Sequence, residues 1–453
     1  MSMAMKMVPV GLDWFGGELV GPGDAAYDDV RHVHNGLIDK RPSLIARCLT
    51  TPDVVDAVRY ARSAGLEIAV RGGGHNVAGN AVTEGGLMID LSLMKGIHVD
   101  PAARTIWAQG GVLWRELNRA AHTHGLATTG GVVSSTGIAG LTLGGGEGWL
   151  MGRYGMTVDN LLAVELVTAE GDVLTVNDQH DPDLFWALRG GGGNFGVATA
   201  FEYRAHPVET VLGDMVLHPL DRAANAWSFY RQFTAEASDE LTVFFGLVHA
   251  PDGSGTKVAA MPLCHCGPDP VQADAEVAPL RRFGPPAVDV VERMPYPRIN
   301  TLLDEAFPKG ALSYWKSAFL RELSDDVISV MVDRFASCPS PMTAMVLNPF
   351  HGAVNRVPVD AMAMPHRQFG YSLAILGQWA EQADSDANIA WTRRTFEALR
   401  PHMVEQSYVN DLSADDGNLI HWAYGPNWDR LVDIKRRYDP QNVFHLNQNV
   451  NPM

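Results

Sequence analysis

Cysteine is scarce in this sequence. Its 453 residues include only Cys48, Cys264, Cys266 and Cys338, which are too few and too unevenly spaced for the disulfide framework of a secreted protein. The Cys264-His265-Cys266 triplet lacks the second pair of ligands that a zinc site of this kind requires. These absences predict no bound metal and a reducing compartment, and therefore a cytoplasmic protein.

Positive charge is also in short supply. The chain has 35 Lys and Arg residues against 52 Asp and Glu residues, which gives a formal net charge of −17. Nucleic acids and anionic membrane surfaces select for clustered Lys and Arg, so we expect neither as a partner. A bound diphosphate would have to rely on backbone amide groups.

Long hydrophobic runs are absent as well. No stretch approaches the length of a membrane span. The apolar segment Met1–Met7 leads to Asp13 without the continuous hydrophobic region or the cleavage site of a signal peptide. We therefore expect a soluble protein whose partner is a small molecule.

Glycine, in contrast, is abundant. The 45 glycines and the 46% hydrophobic content indicate an α+β protein with many tight turns, and the chain is long enough for two hydrophobic cores. Glycine clusters become rarer after Pro207. We therefore divide the chain into residues 1–206, residues 207–405 and a last segment, 406–453, that returns to the first part.

Helix and strand signals alternate along the chain. Thr51–Gly65 combines an N-cap threonine, an early proline and a terminal glycine, so it predicts a helix. Leu66–Val70 then predicts a short strand. Similar signals predict strands at 87–91, 105–109, 197–203, 241–248, 257–262 and 344–357, a hairpin of 158–168 with 172–176, and helices at 113–124, 182–188 and 429–438.

The most informative motif follows the predicted strand Leu66–Val70. Gly72, Gly73 and Gly74 precede His75. Glycines without Cβ atoms let backbone N–H groups come close to a phosphate, and the histidine would face whatever is bound there. A nucleotide cofactor is the favoured ligand. In the alternative interpretation, the glycines form only a flexible turn and His75 is a satisfied surface imidazole.

Two further segments are rich in glycine. Small residues dominate 128–148, so that its backbone is expected to run along a flat or extended ligand. Residues 191–196 match the dinucleotide pattern G-x-G-x-x-G, but a strand is predicted after them instead of the helix that would hold a pyrophosphate. A nicotinamide site of the Rossmann type is therefore disfavoured.

Four motifs together resemble one family. They are RGGGHN at 71–76, the glycine-rich stretch 128–160, FWALRGGGGNFG at 185–196 and KRRYDPQNVFHLNQN at 435–449. In this order they resemble the FAD-linked oxidases of the vanillyl-alcohol oxidase superfamily, in particular the berberine bridge enzyme-like group. The resemblance implies a two-domain PCMH-type FAD-binding fold. Residues 1–206 and 406–453 would bind FAD, and 207–405 would form a β-sheet substrate domain covered by helices.

The resemblance also implies how FAD is held. His75 would be bonded to the 8α-methyl group of the flavin. Relatives often add a second link from a cysteine, but Val133 stands at that position, so we expect attachment through His75 only. Thr136 falls where relatives control the access of oxygen, and its valine-like shape favours an oxidase.

Further cofactor contacts follow from the same resemblance. Val197 would lie near the adenine end, and Asn447 and Asn449 near the flavin ring. The implied contacts are Arg71, Gly72, Gly73, Gly74, Asn76, Val77, Gly79, Gly131, Ser135, Thr136, Gly137, Gly140, Gly144, Gly145, Gly146, Gly148, Tyr154, Asp159, Asn160, Gly196, Val197, Tyr408, Asn410, Asn447 and Asn449.

The candidate catalytic residues are Tyr408 and Asp411. Oxidation of a C–OH or C–N centre needs a base for the heteroatom proton. Relatives commonly carry a tyrosine where this chain has Asp411, and an aspartate with a pKa near 4 needs burial to serve as that base. Alternatively, Asp411 is a solvated loop acid beside Asp415 and Asp416, and Tyr408 packs in the core.

Candidate substrate residues are fewer. Arg356, on the predicted strand 344–357, stands where berberine bridge enzymes have a catalytic glutamate, and its guanidinium could hold a carboxylate, a phosphate or a hydroxyl-rich substrate. Trp422, Tyr424 and His366 are pocket candidates, as is Tyr154, and for each of them a structural role is the alternative.

The predicted function is that of an FAD-dependent oxidase. Hydride would pass from a C–OH or C–N centre of a small organic substrate to flavin N5, and O₂ would reoxidise the flavin to give H₂O₂. A dehydrogenase with another electron acceptor, an oxidative cyclase of natural-product metabolism and a catalytically silent flavin-binding protein are the alternatives. The sequence leaves the substrate and the oligomeric state open.

Overall fold

A computed structural model describes residues 11–368 and 370–453 of the chain, so the expectation about Met1–Met7 lies outside the described residues. In the described residues, three smaller sheets of four, five and two strands precede one ten-stranded sheet, and helices lie between and over them. None of the helices within these two ranges is both long and apolar enough to cross a membrane.

The first part of the chain contains many short elements. Its strands are β1 (Glu18–Val20), β2 (Leu44–Arg47), β3 (Ile68–Arg71), β4 (Leu87–Asp90), β5 (Ile97–Asp100), β6 (Thr105–Gln109), β7 (Leu126–Ala127), β8 (Leu161–Val167), β9 (Val173–Asn177), β10 (Val197–Arg204) and β11 (His206–Pro207). Its helices are α1 (Tyr27–Arg31), α2 (Thr51–Ala64), α3 (Trp114–His122), α4 (Ile138–Leu143), α5 (Met151–Tyr154) and α6 (Pro182–Leu188). Four strands pair in the order β1-β2-β4-β3 and five in the order β5-β6-β10-β8-β9.

Helix α2 shows how local sequence fixes these elements. The Thr50 side chain accepts a hydrogen bond from Asp53 N at 3.4 Å, and the Asp53 carboxylate accepts one from Thr50 N at 2.9 Å. Pro52 lies in the first turn, and Gly65 ends the helix with a φ of 65°. This capping box and left-handed glycine define both helix ends, and β3 follows within three residues of Gly65.

A ten-stranded antiparallel sheet forms the second part. Its strands are β12 (Thr210–Pro219), β13 (Leu241–Val243), β14 (Phe245–His249), β15 (Lys257–His265), β16 (Val288–Asp289), β17 (Glu292–Pro295), β18 (Leu312–Leu320), β19 (Ala344–Pro349), β20 (Tyr371–Trp379) and β21 (Met403–Val404). The pairing order is β16-β12-β15-β14-β19-β20-β18-β21, with β13 beside β15 and β17 beside β12.

Helices cover this large sheet. They are α7 (Ala223–Ala235), α8 (Pro270–Arg282), α9 (Tyr296–Ile299), α10 (Asp325–Ala336), α11 (Ala353–Arg356) and α12 (Ser385–Leu399). Helix α10 packs against both α7 and α12, and α12 packs on β18 and β20. Buried side chains such as Trp227, Phe245 and Phe335 fill the layer between helices and sheet.

The last segment returns to the first part of the chain. It contains α13 (Ile420–Tyr424) and α14 (Trp428–Tyr438), and α14 packs against α6. The α+β fold with a helix-covered sheet is thus confirmed. The strands of the large sheet fall between Thr210 and Val404, and the domain limits at 207 and 406 remain our proposal.

Two local predictions need correction. The predicted strand 344–357 is wrong beyond Pro349, because the chain turns at Gly352, which has a φ of 61°, and enters α11. Residues before Leu161 form a 3₁₀ turn instead of the start of the hairpin. In contrast, β10 follows Gly196 directly, which confirms that no helix begins after the 191–196 glycine motif.

Candidate active site

Close backbone packing shapes the glycine turn after β3. A Cβ atom on Gly73 would lie 2.4 Å from the backbone nitrogen of Gly137, and one on Gly137 would lie 2.4 Å from that of Gly73. Only glycine permits such an approach. The Arg71 guanidinium pairs with Asp90, Nη2 to Oδ2, at 2.5 Å, so that it anchors the end of β3 from within the protein.

His75 is held with one ring nitrogen free. Its Nε2 is buried and finds no hydrogen-bond partner among the described residues. The ring stacks on that of His34, with centroids 3.9 Å apart and planes inclined by 24°. Burial, and to a lesser extent His34, lowers the pKa of His75 to about 3. The imidazole is therefore neutral at physiological pH and can act as a nucleophile.

Asn76 connects this turn to the predicted catalytic segment. Its Nδ2 donates to the backbone oxygen of Asn410 at 2.9 Å, and its Oδ1 accepts from Ala78 N at 3.0 Å. Both ends of the side-chain amide are thus engaged. The contact brings together two segments that lie 334 residues apart in sequence.

The loop between α4 and α5 packs on the same segment. Gly145 and Gly146 have φ angles of 130° and 89°, and residues that carry a Cβ atom rarely adopt such angles. Gly146 N donates to Tyr408 Oη at 2.7 Å, and Asn410 Nδ2 donates to the same oxygen at 2.9 Å. A Cβ at Gly144 would lie 2.0 Å from Asn410 Oδ1. These glycines therefore allow the two segments to form one unit.

Two carboxyl groups belong to this unit. Burial, and then the negative charge of Glu147, raises the pKa of Asp411 to about 8. Glu147 is buried, and this raises its pKa to about 7 although Asn348 and Ser372 donate hydrogen bonds to it. Its Oε1 has no partner among the residues described. Because an acid with a pKa near 8 exchanges its proton close to neutral pH, Asp411 can serve as an acid or a base.

The C-terminal tail contributes two side-chain amides. The Oδ1 atoms of Asn447 and Asn449 are buried and have no hydrogen-bond partner in the described parts of the chain. Lys435 fixes the tail, since its Nζ donates to Asp439 Oδ2 at 2.6 Å and to Phe444 O at 3.0 Å. The free amide oxygens are therefore held on an ordered segment.

The free polar atoms suit a flavin nucleotide. Buried polar groups in proteins almost always have partners, and the unpaired atoms of His75, Asn447 and Asn449 lie in the segments that the resemblance assigns to the flavin. Gly140 in α4 is exposed, and a Cβ atom there would meet nothing within 4 Å. The residues present therefore fit FAD, whose chemistry is hydride transfer.

Three predicted cofactor residues are engaged by the protein itself. Asp159 accepts two hydrogen bonds from the Arg367 guanidinium, at 2.8 and 2.9 Å. Asn160 donates to the backbone oxygen of Tyr154 at 2.9 Å, and the Tyr154 ring stacks on His206 with centroids 3.9 Å apart. These contacts give Tyr154, Asp159 and Asn160 a structural role.

Other predicted cofactor positions are explained partly by backbone packing. A Cβ at Gly79 would meet Ile38 at 2.5 Å, and one at Gly148 would meet Gly130 O at 2.0 Å. Gly196 has a φ of 156° and lies against β8. Val77 and Val197 are buried, whereas Ser135 and Thr136, just before α4, are partly exposed. Gly72 and Gly74 lie on either side of Gly73 in the turn after β3. The backbone oxygen of Gly131 accepts a hydrogen bond from Asn300 Nδ2.

The Arg356 guanidinium is exposed and pairs with another surface residue. Arg356 is 62% exposed, and its Nη2 lies 2.6 Å from Asp239 Oδ2. Tyr424 is fully buried with its hydroxyl 3.4 Å from Gly191 O, and Trp422 packs on the main core. A direct substrate contact is unsupported for these three residues.

His366 lies closer to the site. Its Nδ1 is 2.9 Å from the side-chain oxygen of Gln406, two residues before Tyr408, and its ring contacts Phe319. Its Nε2 is buried and unpaired within the described ranges. His366 therefore remains a candidate for the pocket wall.

Sequence reasoning missed two residues of the site. Glu147 is the lone charged residue in the stretch Thr128–Leu150, and that isolation was a usable signal. His34 lies far from the glycine motifs in sequence, and no local pattern links it to His75. Both residues are recognised only through their contacts in the folded chain.

Comparisons with known proteins identify the family of the chain. A family model described as an FAD binding domain matches residues 42–177, and one described as berberine and berberine like matches residues 407–451. The (R)-6-hydroxynicotine oxidase of Paenarthrobacter nicotinovorans is 33% identical over 96% of this chain and 97% of its own. An FAD-linked oxidoreductase of Dictyostelium discoideum is 30% identical over 91% of this chain and 89% of its own.

Solved structures show the same fold. The 6-hydroxy-D-nicotine oxidase of Arthrobacter nicotinovorans matches with a TM-score of 0.89 and 29% identity, covering 97% of this chain and 98% of the other. The BBE-like 1 protein of Physcomitrella patens matches with a TM-score of 0.90 and 23% identity over 98% of each chain. The chain therefore belongs to the berberine bridge enzyme-like family of FAD-linked oxidoreductases, and it binds FAD.

Proposed function

We propose that the protein is an FAD-dependent oxidase in which His75 forms the single covalent link to the flavin. The observation that carries this proposal is the free, buried Nε2 of a neutral His75 at the end of the glycine turn. A deprotonated ring nitrogen is what bonding to carbon requires. Val133 provides no thiol for a second link.

Asp411 is the proposed catalytic base. When bound, FAD accepts a hydride from the substrate carbon. Asp411 takes the proton from the O–H or N–H group of that centre, and its pKa of about 8, set first by burial and then by Glu147, makes it a much stronger base than an ordinary aspartate. General bases of this kind contribute about 10²–10⁴ in rate.

Tyr408 is given a positioning role in this scheme. Burial raises the pKa of its phenol, so the hydroxyl group stays protonated at physiological pH. Its oxygen accepts from Gly146 N and Asn410 Nδ2. Tyr408 thereby holds the glycine-rich loop against the segment that carries Asp411.

The substrate is proposed to be a small organic molecule with a C–OH or C–N centre, and O₂ to be the electron acceptor that yields H₂O₂. The relative that is named a hydroxynicotine oxidase supports the oxidase assignment. We also propose a cytoplasmic location, on the grounds of cysteine usage, with residues 1–206 and 406–453 around FAD and residues 207–405 facing the substrate.

Acid precipitation tests the flavin link. We expect the wild-type pellet to stay yellow and the His75→Ala pellet to lose its flavin to the supernatant. Flavin that stays fixed in His75→Ala, or a wild-type protein that releases all its flavin, would contradict the link.

A second experiment tests the reaction. Anaerobic mixing with alcohols, sugars and secondary amines should bleach the flavin with at least one of them, and air should then produce peroxide. Bleaching without peroxide formation would indicate a dehydrogenase, and spectral shifts without bleaching would indicate a binding protein. For the best substrate, Asp411→Asn should reduce flavin about 10²–10⁴-fold more slowly, and an unchanged rate would exclude Asp411 as the base.

A further inference from the structure

His34 is joined by backbone hydrogen bonds to both sides of the site. Its N–H donates to the oxygen of Gly74, the residue before His75, at 2.9 Å. Its carbonyl oxygen accepts from Gly310 N, just before β18 of the large sheet, also at 2.9 Å. His34 therefore cannot shift without moving the glycine turn or the segment that leads into β18.

The next two residues reinforce this position. Asn35 is 3% exposed, and its Nδ2 donates to Val77 O at 2.8 Å and to Ser313 O at 2.9 Å. Its Oδ1 accepts from Ser313 N at 3.0 Å. A Cβ atom at Gly36 would lie 2.2 Å from Gly310 O. The segment 34–36 is thus packed tightly between the first part of the chain and the large sheet.

The side chain of His34 covers one face of the His75 ring. The two rings are stacked, with their centroids 3.9 Å apart and their planes inclined by 24°. Burial, and secondly the charge of Lys309, lowers the pKa of His34 to about 4, so both rings are neutral and do not repel each other. A ring held flat on His75 restricts rotation of the imidazole about its Cβ–Cγ bond, and the buried Nε2 at the ring edge is left without a hydrogen-bond partner among the described residues.

We propose that His34 is a positioning residue for covalent attachment of FAD. Its ring, anchored between the glycine turn and the large sheet, holds the His75 imidazole in one orientation with Nε2 free. This inference rests on the proposed link through His75. It also explains why a side chain outside every glycine motif lies at the site, and it makes attachment depend on docking of the large sheet.

The attachment step balances without any group from His34. One N–H bond of His75 and one C–H bond of the flavin 8α-methyl group are replaced by an N–C bond. The two hydrogens and two electrons reduce the flavin and then pass to O₂, which becomes H₂O₂. His34 contributes orientation only, and a misoriented nucleophile can cost on the order of a hundredfold in rate.

The test compares tethering rates in three variants. Protein from riboflavin-starved cells is incubated with FAD in air, and the acid-resistant flavin is measured over time by fluorescence of the denatured band. We expect His34→Ala to tether about 10- to 100-fold more slowly than wild type. His34→Phe, which keeps a flat ring without nitrogens, should tether at close to the wild-type rate. His32→Ala is the matched control, because His32 is an exposed histidine two residues away.

The outcomes separate this inference from the proposed link. Untethered flavin in the wild type would refute the His75 link itself. If His34→Ala tethers FAD at the wild-type rate, the stacked ring has no role in attachment, although the His75 link stands. The same conclusion follows if His34→Ala and His34→Phe tether FAD equally slowly. If His34→Ala binds no FAD at all, the rate of His34→Phe decides: a rate near wild type supports the inference, and a slow rate contradicts it.

Discussion

Asp411 and Asp415 lie four residues apart and have opposite electrostatic surroundings. Asp415 accepts from Lys316 Nζ at 3.0 Å and from Arg393 Nη2 at 2.7 Å. The Asp411 carboxyl group has no ion-pair partner within the described residues, and the charge that raises its pKa, after burial, is the negative one of Glu147. The alternative interpretation, in which Asp411 is a solvated loop acid like its neighbours, is therefore not supported by these contacts.

This contrast predicts opposite effects on stability. The folded-state pKa of Asp411 is raised to about 8 by burial and by Glu147, so the unfolded chain loses this proton near pH 4 and the folded chain keeps it. The free energy of unfolding therefore falls as pH rises from about 4 to about 8. Asp411→Asn should melt at a higher temperature than wild type at pH 8, with the difference shrinking toward pH 4.

Asp415→Asn is the matched control. Although burial opposes it, hydrogen bonds from Tyr314, Lys316 and Arg393 lower the pKa of Asp415 to about 2. Its contribution to stability is therefore present above pH 4 and is lost as pH falls toward 2. Asp415→Asn should melt at a lower temperature than wild type at pH 8. Equal melting curves for wild type and Asp411→Asn at pH 8 would show that Asp411 is not held in a desolvated position.

At the scale of elements, predictions succeeded where the signals were local. The helix predicted over Thr51–Gly65 is observed as α2, with Gly65 as its C-cap and with Thr50, one residue before the predicted Thr51, as its N-cap. These signals succeeded because each uses neighbours within one turn. The prediction of one strand over 344–357 was wrong because the chain turns at Gly352, soon after Pro349. The backbone at Gly352 packs against Gly152, which is distant in sequence. Such a contact is invisible to a local pattern.

The active site follows the same rule. The glycine motifs identified the His75 turn and the loop around Gly145, since positive φ angles and close backbone approach demand glycine locally. The electrostatic effect of Glu147 on Asp411 could not be read from the sequence, because a single chain carries no record of which distant residues lie near each other. His34 was missed for the same reason.

Helix α4 offers a test of the cofactor site at this scale. Gly140→Ala should leave folding unchanged or stabilise it by about 1 kcal/mol, since alanine favours helices and a Cβ there meets nothing within 4 Å. If FAD lies against this exposed face, the added methyl group should weaken FAD binding at least tenfold. The measurement is FAD titration in the His75→Ala background, in which flavin exchanges freely.

Gly23→Ala serves as the control for this variant. A Cβ at Gly23 also meets nothing within 4 Å, and the residue lies in a loop outside the predicted cofactor contacts. Its FAD affinity should equal that of His75→Ala alone. Equal affinities for Gly140→Ala and Gly23→Ala would place FAD away from α4.

At the scale of the whole molecule, polar contacts join the first part of the chain to the large-sheet part. The Asp304 carboxylate accepts from Ser134 N at 2.8 Å and from Ser134 Oγ at 2.6 Å. The Arg367 guanidinium, which is fully buried, meets Asp159 in a bidentate pair. Bidentate charge-assisted pairs fix orientation as well as distance.

Arg367→Met should therefore loosen the molecule along this junction. Breaking a buried pair by removing one partner costs about 3–5 kcal/mol, because the other charge is left uncompensated, and here Asp159 is that charge. Hydrogen exchange should rise in 130–136 and 300–306 more than in the core of the large sheet. Arg356→Met, which breaks the exposed pair with Asp239, should cost at most about 1 kcal/mol. Similar costs for the two variants, or exchange that rises evenly over the whole chain, would show that the Arg367 pair does not control docking of the two parts.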